Sequence, residues 1–473
     1  MTRAPDVTAT LDGAPERERA EPEALRPALI LVWSEHEPER VGEALLPERE
    51  PAFFGRDSEA LEARALLVRQ RPGRNEPTPP LQNQFLSRRQ LKLRLADDDS
   101  VAIEGLGKRP LLVRGQEQAR SVLRPGELVE LRGLYSFLCV LRPERLPSAA
   151  SAHEFGAPDA DGIVGESAAC AQLRRQIGFA AERAAHVLIT GASGTGKELV
   201  ARGIHRGSSR GQRELVARSA ATLPPGLIDA ELFGNIVSYP NVGMPERPGL
   251  VGQAHGTTLF LDELGELPHE QQAHLLRLLD SGEYQRLGDA RARKVDLRMV
   301  AATNRAPSEL KLDLCARFPL RIEAPGLAER LDDVPLLASQ LVRAIARADP
   351  PLAGRFLEPK TGRLAQPRFS AELMRGLLTH EYLSHVRELE ALLWRSMQTS
   401  PGDVLELTRE VRLELREAPE PRPLSSVGVE EVRASLLRHG GVKDKVWREL
   451  GLSSRHALHR LLKKLGIEGD AAD

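Results

Sequence analysis

The sequence predicts several folded units: a β-sandwich, an α/β unit followed by helices, and a small all-α unit. Short apolar runs separated by Pro, Gly and charged turns fill the first third of the chain. An apolar β-branched run, a glycine-rich loop and a helical pattern then follow one another. Three helical patterns interrupted by glycines close the chain. At 473 residues the chain is also long for a single core.

The bulk composition excludes several classes of protein. The formal net charge is −1, so any nucleic-acid-binding surface must be local. Cys139, Cys170 and Cys315 lie far apart without metal-ligand spacing, which argues against a disulfide framework and favours a reducing compartment. The N-terminus has no signal-peptide pattern, and no apolar run is long enough to span a membrane. We therefore expect a cytoplasmic protein without a membrane partner.

The first third divides into three predicted segments. Residues 1–26 are rich in Pro, Glu, Arg and Ala and are predicted to be a disordered leader. Residues 27–143 are predicted to form the β-sandwich, and residues 144–161 an interdomain linker. The apolar runs that predict strands are 29–33, 65–68, 91–95, 111–113, 128–131 and 137–141.

The glycine-rich loop GASGTGKE has the context of a P-loop. It follows the run 187–190 and precedes the helical run 199–205. Glycines let backbone N–H groups turn towards phosphate oxygens, and Lys197 then reaches the terminal phosphates. Glu198 stands where the generic motif has Ser or Thr, and a plain glycine turn before a helix is the alternative. The predicted nucleotide-binding residues are Gly191, Ala192, Ser193, Gly194, Thr195, Gly196, Lys197 and Glu198.

A second stretch supports a nucleotide site. Residues 257–263 form a buried-strand pattern that ends in two adjacent carboxylates. In P-loop enzymes such a pair places an aspartate on Mg²⁺ and a glutamate beside the attacking water. Asp262 and Glu263 are therefore the predicted metal-binding and water-polarising residues. Together the two stretches predict hydrolysis of ATP with Mg²⁺.

These motifs, together with residues 163–167, the tetrad Glu-Leu-Phe-Gly at 231–234 and residues 258–268, resemble the central AAA+ domain of sigma-54-dependent transcriptional activators. The resemblance covers residues 162–400 and implies an α/β part over 162–333 and a helical lid over 334–400. It also accounts for Glu198, because that family carries Glu after the P-loop lysine. A hexameric or heptameric ring is implied as well.

The same resemblance assigns three further polar residues. Asn304 follows the apolar strand 300–303 and would sense the γ-phosphate. Arg387, in Val-Arg-Glu-Leu at 386–389, would face the nucleotide from the lid. Arg317 would reach across a subunit boundary and stabilise charge on the transferring phosphoryl group, so hydrolysis would require a ring. Taken singly, each could also be a solvated or helix-capping polar group.

Several positions depart from the family pattern. The family's Gly-Ala-Phe-Thr-Gly-Ala loop, which touches sigma-54, is replaced by Ser-Tyr-Pro-Asn-Val-Gly at 238–243, whose proline fixes φ and removes a donor. Ser219 stands where the family has an Asn that restrains the catalytic Glu, and Lys311 replaces an Arg and cannot form a planar fork. The family's Trp-Pro-Gly-Asn is Tyr-Leu-Ser-His at 382–385. We expect that the nucleotide pocket is retained, whereas the parts that transmit its state, including the loop that touches sigma-54, are altered.

Within the predicted sandwich, Gly55-Arg56 and Ser87-Arg88 resemble residues of the forkhead-associated (FHA) domain, which holds phosphothreonine peptides. Arginine offers a bidentate fork and serine a hydroxyl donor to phosphate. The resemblance implies that Arg56, Ser87 and Arg88 bind a phosphopeptide. It departs at Gln90, where the family has His, and at 109–111, where Arg-Pro-Leu replaces Asn-Gly-Thr.

The end of the chain predicts a DNA-binding unit. After a linker assigned to 401–427, helical patterns over 429–439, 442–450 and 453–465 form a unit at 428–468 that resembles the Fis-like helix-turn-helix domain of sigma-54 activators. The last pattern has leucines on one face and a basic face opposite, with Ser453 as its N-cap. A solvated basic face on a helical tail is the alternative. The predicted DNA-binding residues are Ser454, Arg455, His456, His459, Arg460, Lys463 and Lys464.

The sequence therefore predicts an ATPase and DNA-binding regulator whose catalytic residues are Lys197, Asp262, Glu263 and Arg317. The implied partners are DNA at an upstream regulatory site, RNA polymerase with sigma-54, further copies of the chain and a phosphothreonine protein. A regulator or repressor that does not engage sigma-54 and uses ATP only for assembly is the first alternative, favoured by 238–243. A phosphopeptide-binding adaptor with a vestigial ATPase is the second.

Overall fold

Two antiparallel sheets form the N-terminal third of the protein. The computed structural model describes residues 25–467, except 57–62, 97–99, 149–152, 307–308, 359–364, 417–421, 423–425, 440–442 and 453–454. The larger sheet has the strand order β5-β4-β2-β1-β12-β11-β8-β9, and the smaller has β10-β7-β6-β3. Each predicted apolar run lies in or overlaps a strand. The strands are β1 (Leu25–Ser34), β2 (Ala44–Leu45), β3 (Ala52–Phe54), β4 (Leu67–Arg71), β5 (Arg74–Pro77), β6 (Leu91–Leu95), β7 (Val101–Gly105), β8 (Leu111–Val113), β9 (Gln116–Glu117), β10 (Arg120–Leu123), β11 (Leu128–Leu131) and β12 (Tyr135–Pro143).

The first strand is buried on both sides. Alternate residues of a strand point to opposite faces of its sheet. Leu29 and Leu31 join the core between the two sheets, whereas Ala28, Ile30 and Val32 pack with helices of the C-terminal half. The predicted leader ends earlier than expected, because Leu25 already pairs with β12; residues 1–24 lie outside the described part of the chain.

A parallel sheet of order β14-β15-β18-β13-β19 forms the centre of the α/β unit. Since its strands are parallel, their carboxyl ends share one edge, and this edge carries the glycine loop. A short hairpin, β16 (Glu283–Tyr284) and β17 (Arg293–Lys294), stands apart from this sheet. The remaining elements are α1 (Ala168–Ala181), β13 (Val187–Thr190), α2 (Lys197–Arg206), β14 (Val216–Ser219), α3 (Ile228–Phe233), α4 (Gly249–Gln253), β15 (Thr258–Asp262), α5 (His269–Ser281), β18 (Arg298–Thr303), α6 (Leu312–Ala316) and β19 (Leu320–Glu323).

A helical unit follows, and it extends beyond the predicted boundary at residue 400. Its elements are α7 (Val334–Ala348), α8 (Pro350–Ala353), β20 (Leu357–Glu358), β21 (Gln366–Pro367), α9 (Ala371–Thr379), α10 (Val386–Thr399) and α11 (Arg409–Glu414). The last helix lies inside the predicted linker 401–427. It forms there because the Thr408 hydroxyl caps its N-terminus and Val411 is buried against α10 and its neighbours.

Three helices close the described chain: α12 (Val429–Arg438), α13 (Lys443–Glu449) and α14 (Arg455–Lys464). Val432, Trp447, Leu458 and Leu461 are among the buried residues of their separate small core. The predicted N-cap Ser453 lies outside the described residues.

Two further features concern the whole described chain. Cys139, Cys170 and Cys315 are all buried, and none of the three forms a disulfide bond. Within the described residues, no helix combines the length and apolar character needed to cross a bilayer.

Candidate nucleotide-binding and hydrolysis site

The glycine loop connects β13 to α2 at the carboxyl edge of the parallel sheet. Gly191, Gly194 and Gly196 have φ values of 147°, 80° and 95°, which side chains rarely allow. At Gly194 space also demands glycine, because a Cβ there would lie 2.2 Å from the backbone oxygen of Ser384. The loop is therefore shaped both for phosphate and for close approach of the lid.

Lys197 lies at the first turn of α2 and points back over the loop. Its ammonium donates to the backbone oxygens of Gly191 and Ala192 at 2.9 and 3.0 Å. Burial lowers the pKa of Lys197, and Arg387 adds to this, while Asp262 and Glu263 oppose it. These two bonds hold the ammonium directly over the glycine loop, where a P-loop lysine can reach bound phosphate.

The two predicted carboxylates follow β15 at the same edge. Asp262 ends the strand, and its Oδ1 accepts the backbone N–H of Glu263 at 2.9 Å. Glu263 has a φ of 54°, an uncommon value for a residue with a side chain. Ser219 pairs with Asp262 across β14 and β15, and its hydroxyl donates to Glu263 Oε2 at 2.6 Å. A serine thus makes the contact for which the family uses Asn.

The carboxylate of Asp262 suits Mg²⁺ that is bound mainly by waters and substrate phosphates. Within the described residues, no group of three or more His, Cys, Asp and Glu could hold a metal. Mg²⁺ does not need such a cage, because it binds one or two carboxylates together with waters and substrate phosphates. Asp262, partly exposed at the strand end beside Lys197, is the residue that suits this mode.

The helical unit closes over the loop. Arg387 Nη1 donates to the Ser193 hydroxyl at 2.8 Å, and the Val386 N–H donates to the Gly194 oxygen at 3.2 Å. Arg330 Nη2 reaches the Thr195 oxygen at 3.4 Å. Arg330 has no local signal in the sequence, because nothing near it in the chain marks it as a neighbour of residue 195.

Glu388 fixes the turn that carries these contacts. Its carboxylate accepts the backbone N–H groups of Leu383 and Ser384 at 2.7 and 2.9 Å. Burial raises the pKa of Glu388, but these donors and His380 outweigh it, so the net pKa lies below its ordinary value. An ionised carboxylate therefore holds the backbone of Ser384 against Gly194.

The other predicted site residues differ in position. Asn304 directly follows β18, at the shared edge, and is exposed. Glu198 faces solvent and pairs with Arg202 at 2.6 Å. Arg317, which follows α6, forms an ion pair with Asp280 of α5, and no described contact joins it to the loop of its own chain.

Comparison with known proteins identifies the same region. The Sigma-54 interaction domain family matches residues 163–317. Transcriptional regulatory protein ZraR of Escherichia coli K12 is 34% identical over 314 residues, which are 63% of this chain and 68% of that protein. The chain belongs to the family of sigma-54-dependent AAA+ regulators. Nitric oxide reductase transcription regulator NorR1 of Cupriavidus necator is 36% identical, over 65% of this chain and 66% of that protein. Crystallised NtrX from Brucella abortus in complex with ADP is 30% identical with a TM-score of 0.47, over 65% of this chain and 70% of that one.

Residues 238–243, which depart from the sigma-54-dependent pattern, lie within a loop that spans residues 236–246. Asn235, which is buried, donates to the backbone oxygens of Ile236, Tyr239 and Pro245 and so closes the base of the loop. The Tyr239 ring lies against Gly288, where a Cβ would come within 2.6 Å of it. Val242 at the tip is 97% exposed. This regulator therefore presents a folded loop whose most exposed apolar side chain is Val242, with Val237 exposed as well.

The FHA-like residues meet at one edge of the sandwich. A Cβ on Gly55 would clash with the backbone oxygens of Ser87 and Arg88, so these segments touch. The Arg56 side chain reaches the Gln84 oxygen at 3.4 Å, and the Ser87 hydroxyl accepts the N–H of Lys108 at 3.1 Å. Gln90 is fully buried; its amide donates to the Arg109 oxygen at 3.0 Å and accepts from the Ser87 N–H at 3.3 Å. Gln90 thereby links the segment of Ser87 and Arg88 to the loop that contains Arg109.

The basic face of the last helix is described only in part. Arg460 is half-buried and Lys464 is exposed. Leu458 and Leu461 lie in the small core, as the predicted apolar face requires. Ser454 and the side chains of Arg455, His456, His459 and Lys463 lie outside the described part of the chain.

Proposed function

We propose that this chain is an ATPase and DNA-binding regulator that hydrolyses ATP as a ring to control RNA polymerase through sigma-54. The observation that carries the proposal is the convergence of three parts at one sheet edge: the glycine loop, the pair Asp262 and Glu263, and Arg387 from the lid. Membership of the sigma-54-dependent family supports the same function.

The chemistry needs positioning and charge stabilisation more than covalent steps. Lys197 and the loop N–H groups would hold the phosphates, with Arg387 closing over Ser193. Mg²⁺, held by Asp262 when bound, would neutralise charge on the phosphate oxygens. Glu263, restrained by Ser219, would polarise the attacking water. Arg317 would serve the site of a neighbouring subunit, because its own chain does not bring it to the loop.

The test is ATP turnover by the full chain at increasing protein concentration. Turnover per chain should rise with concentration if Arg317 acts between subunits. Lys197→Ala and Arg317→Ala should each abolish it, whereas only Lys197→Ala should weaken binding of a fluorescent ATP analogue. Absence of turnover at every concentration, in protein that binds the analogue, would contradict the proposal.

A second candidate is a regulator or repressor that does not engage sigma-54 and uses ATP only for assembly. The closed loop 236–246 favours it, since Tyr239 lies on Gly288 and the most exposed apolar side chain of the loop is Val242. Purified sigma-54 should be captured by the ring with a transition-state analogue if the first function holds, and Val242→Asp should prevent capture. DNA protection without capture would support the second candidate.

The two ends of the chain have separate proposed partners. DNA binding by residues 428–468 is supported by the basic face that includes Arg460 and Lys464, and a Lys464→Glu variant should weaken protection of an upstream site.

Phosphothreonine binding is supported by the meeting of Arg56, Ser87 and Arg88. Arg56→Ala should then abolish binding of a phosphothreonine peptide. If Glu263→Gln has no effect on regulation while Arg56→Ala does, the chain is an adaptor with a vestigial ATPase.

A further inference from the structure

The outer face of the larger sheet is covered by the chain's own lid. Ala28, Ile30 and Val32 of β1 and Leu138 of β12 belong to one buried apolar cluster with residues of α7, α9 and α10. Phe155, from the predicted linker, lies beside this cluster against Gly42 and Leu336. A large apolar interface between two domains restricts their motion relative to one another.

Polar contacts fix the orientation of this interface. Arg375 of α9 donates to both carboxylate oxygens of Glu130 at 2.7 and 2.8 Å, and Glu130 is only 6% exposed. The indole N–H of Trp33 donates to the Phe369 oxygen at 2.7 Å. A bidentate arginine pair and a directed indole bond require one geometry of docking.

A second set of contacts joins the sandwich to the segments before α1 and α7. Arg142 of β12 is 1% exposed and donates to Asp332 Oδ2 at 2.6 Å and to the Glu166 oxygen at 2.7 Å. Glu166 also pairs with Arg71 of β4 at 3.4 Å. The Arg142–Asp332 pair forms only while the sandwich is docked, because its two residues come from the two units. Leaving the buried guanidinium without its carboxylate costs free energy, so the pair favours the docked state.

The same segments touch the nucleotide loop. Asp333 accepts the N–H groups of Glu166 and Ser167 at 2.7 and 2.9 Å and the Ser167 hydroxyl at 2.6 Å. Arg330, in the turn before it, donates to the Thr195 oxygen. A continuous set of contacts therefore runs from Arg142 in the sandwich to the P-loop.

We propose that docking of the sandwich on the lid sets the arrangement of the lid over the P-loop, so that the sandwich and the nucleotide site are energetically coupled. A ligand at the far loops of the sandwich would change ATP affinity only as far as it favours the docked or the undocked state. By the same linkage, ATP would strengthen docking. This coupling goes beyond the proposed hydrolysis and does not depend on it.

Charge reversal at the Glu130 and Arg375 pair tests the proposal in the full chain. Glu130→Arg and Arg375→Glu should each raise the Kd of a fluorescent ATP analogue about fivefold, the low end of allosteric coupling. The double variant restores the pair with reversed polarity and should return the Kd towards the wild-type value. Glu414→Arg is the matched control, because it breaks the Arg395–Glu414 pair within the lid and should leave the Kd unchanged.

Hydrogen exchange reports whether docking itself has changed. Exchange in β1 and α9 should rise in the single variants, and ATP should slow it in wild type but not in Lys197→Ala. Increased exchange with an unchanged Kd would overturn the coupling. Should neither single variant raise exchange, Asp332→Asn removes the carboxylate of Arg142 instead. Unchanged exchange in all three variants would also overturn the proposal, because docking would then not depend on these contacts.

A second inference concerns Arg317 and rests on the proposed function. Asp280 binds Nε of Arg317, and both side chains are close to half exposed, at 46% and 43%. A carboxylate on Nε leaves the two terminal nitrogens of the guanidinium for another acceptor such as phosphate. We infer that Asp280 is a positioning residue for Arg317 in the assembled ring.

Asp280→Asn should lower kcat about tenfold with little change in KM or in assembly. It should have no further effect in the Arg317→Ala background, and Asp280→Glu should restore part of the loss. Glu283→Gln is the matched control, since it breaks the Arg277–Glu283 pair beside the same helix. An unchanged or higher kcat in Asp280→Asn would overturn this inference alone, whereas absent wild-type turnover would instead contradict the proposed ATPase.

Discussion

At Glu263, backbone conformation and one neighbouring hydroxyl together fix the position of a carboxylate. Its φ of 54° directs the chain sharply after β15, and the Ser219 hydroxyl holds Oε2 at 2.6 Å. Uncommon backbone values persist where surrounding structure enforces them, and they occur often at functional sites. The serine can therefore substitute for the family's Asn at this contact, although it offers a single donor.

Removing that donor should affect catalysis and not binding. We expect Ser219→Ala to lower kcat several-fold, because Glu263 loses its restraint, while the Kd for the ATP analogue stays unchanged. Ser219→Asn should retain most of the activity, since an amide can also donate to Oε2. Steady-state kinetics of both variants check this, and equal loss in the two would contradict the role assigned to the hydroxyl.

Asp333 gives a dependence on pH. Burial, with Asp332 nearby, raises its pKa from 3.8 to about 6. Because the folded-state pKa is the higher one, its contribution to stability is complete below pH 3.8 and is lost as pH rises towards about 6.

The matched comparison is Asp333→Asn, which does not titrate. The Tm of wild type relative to this variant should fall between about pH 4 and pH 6 and remain constant above that. Thermal unfolding at a series of pH values measures the difference. A relative Tm that rises over the same interval would contradict the stated direction.

Sequence reasoning found the residues whose signal is local. Lys197, Asp262 and Glu263 are each marked by the strand or loop beside them. Arg330 and Asp280 could not be found this way, because their partners, Thr195 and Arg317, are distant in the chain and the contacts arise only from packing.

At the scale of single elements, the start of α10 contacts the P-loop although its sequence departs from the family pattern. Tyr-Leu-Ser-His at 382–385 replaces the family's Trp-Pro-Gly-Asn, and His385 has a φ of 51°. Glu388 nevertheless accepts hydrogen bonds from the backbone N–H groups of Leu383 and Ser384 in this turn. The carboxylate, rather than the preceding residues, therefore keeps the turn against Gly194.

Glu388→Gln should open this turn. Loss of a charged acceptor for two backbone donors costs about 1–3 kcal/mol, and Arg387 would lose its approach to Ser193. We expect a lower Tm and weaker ATP binding, whereas Glu390→Gln on the same helix should change neither. Retained affinity in Glu388→Gln would show that the turn is held by other contacts.

Elements with a strong apolar period were more predictable than short polar ones. The pattern 453–465 predicts a helix, and α14 spans Arg455–Lys464. In contrast, α11 was not predicted, because its six residues bury only Val411 and its polar majority is typical of a linker.

At the scale of the whole molecule, the sandwich and the lid share one apolar cluster. The sequence carried a signal for this, since residues 28–33 are uninterruptedly apolar, which is typical of a strand buried on both faces. Which surface covers the second face is not encoded locally, because it depends on how the two units dock.

Deleting residues 1–148 should therefore leave an apolar lid surface in water. Each buried side chain that becomes exposed, such as Leu336 beside Gly42, loses about 1.5–3 kcal/mol. We expect the shortened chain to have a lower Tm and to bind a hydrophobic dye. Deleting 428–473 instead should change the Tm and dye binding much less, because of the remaining described chain only Val427 and Ala328 pack in or against the core of that unit. Equal dye binding by the two truncated proteins would contradict the shared cluster.

The three buried cysteines also bear on how the proposed ring can be observed. Burial raises the pKa of Cys139, Cys170 and Cys315, so their thiols stay protonated and enclosed. Maleimide reagents should therefore leave the native chain unlabelled. Val242→Cys would then supply a single reactive thiol at the tip of the 236–246 loop, and fluorophores placed there would report the spacing of neighbouring subunits through energy transfer.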